Sequence, residues 1–181
     1  MYIHYFYTAL YRNYTMTSPI PYTVPAGTRI GHVHLQVTDL TRALTFYQGL
    51  LGFAVMARYG EQAVFLSADG YHHHIGLNTW HSRGGGPAVR EGVAGLYHAA
   101  ILYKERADLA RVLRRLIDAG YPLRGASDHG VSEALYLDDP DGNGLELYWD
   151  RPRDQWPLDA EGHLTMYTRP LDVPGLLALA G

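Results

Sequence analysis

Residues 72–74 are three consecutive histidines in a chain that has 10 His, 18 Asp plus Glu and no cysteine. A transition metal here must therefore be held by imidazole and carboxylate, a donor set suited to iron, manganese or zinc and unsuited to an iron–sulfur cluster. The run itself is a poor cage, because adjacent side chains on a strand point to opposite faces. A more coherent set is spread along the chain: His32, His98 and Glu146. Two histidines and one carboxylate on one side of an ion leave its other positions open, the arrangement typical of non-haem Fe(II) oxygenases. A carboxylate turned inward between Leu145 and Leu147 is costly unless something pairs with it, and a divalent cation would do so.

Bringing these three together requires an internal repeat, and the sequence contains one. In IGHVHLQVTDLTRALTFYQGLLGF, Ile30, His32, His34 and Gln36 alternate with Val33, Leu35 and Val37, which predicts a strand with one polar and one apolar face. Asp39 stands at the N-cap position of a helix, with Leu40, Ala43, Leu44, Tyr47 and Leu51 at helical spacing up to Gly52. The same order returns in GLYHAAILYKERADLARVLRRLIDAGY. There a strand over 96–103 precedes a helix with Leu109, Val112, Leu113, Leu116 and Ile117 on one side, ending at Gly120. Each half closes with strands joined by a turn, SADGYHHHIGLNTW and ALYLDDPDGNGLELYWD. The predicted fold class is α+β: two tandem βαβββ modules forming an open, incomplete β-barrel with outer helices around a central metal cavity. Superposing the halves lays His98 on His32, and aligning IGL with LEL makes Gly76 the counterpart of Glu146. Two histidines and one carboxylate then surround the site, with the fourth symmetric position left to a glycine.

These segments, with DHGVSEALYLDDPDGNGLELYWD the most specific, resemble the vicinal oxygen chelate superfamily (glyoxalase, bleomycin resistance protein and extradiol dioxygenase) over about residues 28–152. The chain is most similar to its catechol 2,3-dioxygenase-type extradiol branch. The resemblance implies His32, His98 and Glu146 as iron ligands, Tyr136 as hydrogen-bond donor to a substrate oxygen, and His129 as a histidine closing on the substrate from a loop. His73 is the nearest match to the acid/base histidine beside the bound oxygen. His74 competes with it, since strand parity counted from Gly76 turns His74 inward. The implied activity is ring cleavage of a catechol-type diol by O2. The implied cofactor is Fe(II), with Mn(II) as an alternative and Zn or Ni able to replace it in purified protein. A glyoxalase-like isomerase or lyase usually takes a further carboxylate from the first half, which Gly76 does not offer. A metal-free antibiotic-binding protein would not need the triad.

The expected organisation is an N-terminal extension over 1–27, the domain over 28–152 with modules at 28–83 and 93–152, and a C-terminal tail over 153–181 with one short apolar helix. The tyrosine-rich start has neither a basic opening nor a cleavage site. No stretch reaches the roughly 18–20 apolar residues that span a bilayer, and the net charge of −3 with scattered Lys and Arg gives no nucleic-acid-binding stripe. The expectation is a cytoplasmic protein, a homodimer replacing the second domain that many extradiol enzymes carry. GGGP at 84–87 is expected to connect the modules flexibly, and Arg111, Arg114 and Arg115 to form a solvated helix face.

Overall fold

The computed structural model describes residues 21–87 and 92–181. Its compact unit over 31–181 contains both modules. The first runs through β1 (Val33–Gln36), α1 (Leu40–Leu44), β2 (Ala54–Tyr59), β3 (Ala63–Ser67) and β4 (Ile75–Asn78). The second runs through β5 (Ala99–Leu102), α2 (Arg106–Asp118), β6 (Gly125–Asp128), β7 (Ser132–Asp138) and β8 (Gly144–Asp150). After it come a short strand β9 (Arg169–Pro170) and a helical turn α3 (Val173–Leu177). The repeat predicted from the sequence is present down to its pairing. β1 lies parallel to β4 and β5 parallel to β8, giving sheets ordered β1-β4-β3-β2 and β5-β8-β7-β6-β9. The fold is α+β with an open arrangement of two sheets, and no ladder joins them.

The predicted elements differ from the observed ones at their ends. β1 begins at Val33 rather than Ile30, because its partner strand begins only at Ile75, opposite Val33. β5 is similarly confined to the four residues opposite Leu145–Tyr148. Asp39 caps α1 as its position requires, its Oδ1 accepting from the backbone of Thr41 at 2.7 Å and of Arg42 at 3.2 Å. The helix then loosens into a π-turn over Thr45–Leu50, with Leu51 N–H reaching back to Phe46 O at 2.9 Å. Arg115 is not idle on a solvated face: its guanidinium donates to Leu50 O at 2.9 Å and Gly49 O at 2.7 Å, satisfying carbonyls that the helix end leaves open. Ile117, expected on the apolar side of α2, is 46% exposed.

One face of each sheet carries the core. Leu35, Leu66, Ile75 and Leu77 from the first sheet, Leu135, Leu137, Leu145 and Leu147 from the second, and Tyr47, Leu109, Leu113 and Leu116 from the helices form one buried cluster. α3 packs on α2 and adds Leu176 to the same cluster. The DDPDGN turn fastens the modules together. Tyr47 donates to Asp139 Oδ2 at 2.9 Å, and Asp141 Oδ1 accepts from Thr38 N, Thr38 Oγ1 and Arg42 at 3.1, 2.6 and 2.6 Å. The opposite faces are open, with His34, Gln36, Ala100 and Leu102 exposed. Among the described residues, no helix is long and apolar enough to cross a membrane.

Candidate active site

Glu146 lies directly across the β7–β8 ladder from Tyr136, so both side chains rise from one face of the sheet. On the other side Glu146 pairs with Ala100 of β5, and His98, two residues earlier, shares that face. Four side chains then follow in sequence. His98 Nε2 is 3.0 Å from Glu146 Oε2, Tyr136 donates its hydroxyl to Glu146 Oε1 at 3.0 Å, and His129 Nε2 lies 2.7 Å from the same hydroxyl. The Glu146 side chain is 14% exposed, so its two oxygens are held mostly within the protein and both have partners. Burial, then the Glu146 charge, push the Tyr136 hydroxyl well above its ordinary range. It stays protonated at neutral pH and acts as a donor. Two of the four, His98 and Tyr136, line a cleft of about 280 Å3 together with Tyr97, Arg124, Gly125 and Ser127.

His32 does not join them. Its ring packs on His73, with centroids 4.4 Å apart, and stands 6.5 Å from that of His72, at the open face of the first sheet. Among the described residues, no three His, Asp or Glu side chains gather as a group able to hold a metal. The proposed ligands thus lie as one histidine on the first module and a histidine with a carboxylate on the second.

His73 and His74 also separate. The His73 ring lies against His32 and Phe65, whose centroid is 5.0 Å away, and burial followed by the nearby His32 lowers its pKa. His74 Nδ1 instead meets Ser67 Oγ at 3.2 Å and the Ala68 N–H at 3.3 Å. Strand parity favoured His74, but β4 starts at Ile75, so alternation does not extend back through the run. Gly76 has a local role as well. A Cβ there would come within 2.8 Å of the His34 ring, which sits against Trp80 and Phe65. In the first sheet a large His34 faces a bare Gly76; in the second a small Ala100 faces Glu146. The two halves thus exchange the large and the small member of one pair.

The model of the Glyoxalase/Bleomycin resistance protein/Dioxygenase superfamily matches residues 29–147. The chain belongs to this superfamily. Superfamily relatives include the catechol-2,3-dioxygenase of Bacillus subtilis (strain 168), 46% identical over 159 residues that make up 88% of this chain and 54% of that protein. Biphenyl-2,3-diol 1,2-dioxygenase 3 of Rhodococcus globerulus is 36% identical over 124 residues, 67% of this chain and 63% of its own. The chain thus spans about half to two-thirds of the length of these relatives. Among solved structures, a glyoxalase/dioxygenase from Nostoc punctiforme superposes with a TM-score of 0.58 at 15% identity, over 74% of this chain and all of that one. A glyoxylase/bleomycin resistance protein/dioxygenase domain from Frankia sp. EAN1pec gives 0.57 at 26% identity, over 68% and 98%.

Sequence reasoning missed Asp139, Asp141, Thr38 and Tyr47 as the fastening between modules. The signal was three acidic or amide side chains in DDPDGN beyond what a single turn needs. It also missed the contact of Tyr167 O with His129 Nδ1, at 3.0 Å. No motif announces that contact, because any residue can offer a backbone carbonyl.

Proposed function

We propose that the chain is an extradiol ring-cleaving dioxygenase that acts on a catechol-type diol with O2, using a divalent metal, Fe(II) by preference, and works as a cytoplasmic homodimer. The observation that carries this reading is the His98–Glu146–Tyr136–His129 series beside an open cleft, and its setting in a chain similar to two diol dioxygenases supports it. The donor set fits such an ion in part. His98 and Glu146 offer an imidazole nitrogen and a carboxylate oxygen already 3.0 Å apart, and His32 is the third donor that the repeat supplies. With His32 packed on His73 within one chain, the reading places the open face of one copy's first sheet against the second sheet of another. The exposed aromatic and aliphatic side chains Trp80, Tyr97 and Leu102 suit burial in such a contact.

The metal, once held, would lower the pKa of a coordinated hydroxyl and bring diol and O2 together. The protein's own groups do the rest. Tyr136, kept protonated, donates a hydrogen bond to a substrate oxygen entering from the cleft, and His129 behind it can exchange a proton with that hydroxyl. The cleft, at about 280 Å3, lies just below the roughly 300–1,000 Å3 range of ligand pockets and suits a single-ring substrate. His73, neighbour to His32, is the candidate to accept a substrate proton from the other sheet.

Anaerobic reconstitution with Fe(II), addition of a catechol and admission of air should give a yellow ring-opened product that Glu146→Ala abolishes. Metal bound without turnover on any catechol would favour a glyoxalase-like isomerase instead, and no metal bound would favour a binding protein. Co-expressing His32→Ala with Glu146→Ala tests the dimer. Each variant alone should bind no metal, and the mixed dimer should recover one site of the two. A mixed protein without metal would refute the shared site.

A further inference from the structure

The superfamily match ends at residue 147, yet the segment that follows reaches back into the site. Residues 157–170 form a strap whose last two residues, β9, pair with β6 at Ser127 and Asp128. Tyr167 N–H donates to His129 O at 3.3 Å, and Tyr167 O lies 3.0 Å from His129 Nδ1. Thr168 Oγ1 is 3.3 Å from the same nitrogen. The strap is held at both ends. Trp156 Nε1–H donates to Arg151 O at 2.8 Å, and beyond β9 Leu171 and Leu176 enter the shared core. Near its end, the Arg169 guanidinium lies 4.2 Å over the Tyr167 ring.

We propose that this strap is a working part of the active site, positioning His129 through a backbone carbonyl that holds a proton on its Nδ1. A carbonyl only accepts, so the contact with Tyr167 O requires a proton on Nδ1. The same ring presents Nε2 to the Tyr136 hydroxyl at 2.7 Å, so the strap fixes both the orientation of the imidazole and the proton on its far nitrogen.

Gly130 is what lets the strap approach so closely. Its φ is +79°, and a Cβ there would stand 2.7 Å from the Tyr167 ring and 2.9 Å from Pro157. Gly130→Ala should therefore lift Tyr167 O away from His129, both by the clash and by backbone strain at the residue next to it, while Tyr136 and the proposed metal ligands are unaltered. Tyr167→Ala added to Gly130→Ala removes the ring that clashes and should let the strap settle back in part.

The test reads the 15N shifts of His129 in metal-free, histidine-labelled protein, with turnover on a catechol as a second arm. The expected result is an Nδ1–H ring in the unaltered protein and loss of that preference in Gly130→Ala. In the second arm kcat falls about tenfold or more, part of what a positioned acid–base group supplies, with KM and metal content little changed. Both effects should be partly restored in the double variant. An Nε2–H ring in the unaltered protein would overturn the proposal, as would a folded Gly130→Ala protein with its tautomer unchanged. Only the kinetic arm rests on the proposed dioxygenase function, so an absence of turnover would refute that function and leave the tautomer result to decide the role of the strap.

Discussion

Asp141→Ala should be the most destabilising single change in the contact between the two modules. Asp141 is 3% exposed, and its Oδ1 alone receives the Thr38 N–H, the Thr38 hydroxyl and the Arg42 guanidinium. Alanine would orphan the backbone donor of Thr38, itself 8% exposed, at a cost of about 1–3 kcal/mol. The Thr38 hydroxyl would still accept from Arg42 at 2.7 Å and loses less. The Arg42 side chain is 50% exposed, so the ion pair adds only about 0–1 kcal/mol after solvent screening. The expected loss is about 2–3 kcal/mol for Asp141→Ala and about 1 kcal/mol or less for Arg42→Ala, which leaves both Thr38 bonds in place. In urea unfolding followed by tryptophan fluorescence, a slope of about 2 kcal/mol per molar would lower the midpoint by about 1 M or more for Asp141→Ala and about 0.5 M or less for Arg42→Ala. Equal losses from the two variants would show that the ion pair, not the buried backbone bond, carries the contact. A changed slope would mean that the modules no longer unfold together.

Tyr136→Phe removes the hydroxyl shared by Glu146 and His129 and should lower turnover about 100-fold, the lower end of acid–base contributions, while metal analysis shows unchanged binding. Gly76→Ala should cost about 1–2 kcal/mol by overpacking against the His34 ring. His34→Ala in the same chain should recover most of it, and a double-mutant cycle without coupling would refute the exchange of large and small residues between the halves. Arg115→Ala frees the Gly49 and Leu50 carbonyls and should lower Tm by about 2–4 °C, the shift expected for about 1 kcal/mol in a chain of this size. Calorimetry would detect it.

The repeat, the strand–helix order and the face on which each candidate residue lies were legible in the sequence because they are local. Alternation of period two put His32 and His34 opposite Leu35, and Asp39 announced its helix through a cap that depends on neighbours two and three residues away. That Gly76 and Glu146 occupy equivalent places followed from aligning the halves, while their parallel pairing with β1 and β5 came only from the fold. Strand ends were less legible, because each ladder stops where its partner stops, so the sequence left His73 and His74 as alternatives.

What only the tertiary structure decided was how the two halves meet. The same binary pattern is satisfied whether the ligand-bearing faces turn towards each other or the helix-bearing faces do, since either buries Leu35 and Leu147. Asp139 and Asp141 fasten the modules over one shared core, and His32 packs on His73 while His98 meets Glu146. The strap beside His129 was equally hidden, because it acts through the main chain of Tyr167. A backbone carbonyl carries no signature of residue type, and only the folded path of the chain brings it within 3.0 Å of the ring.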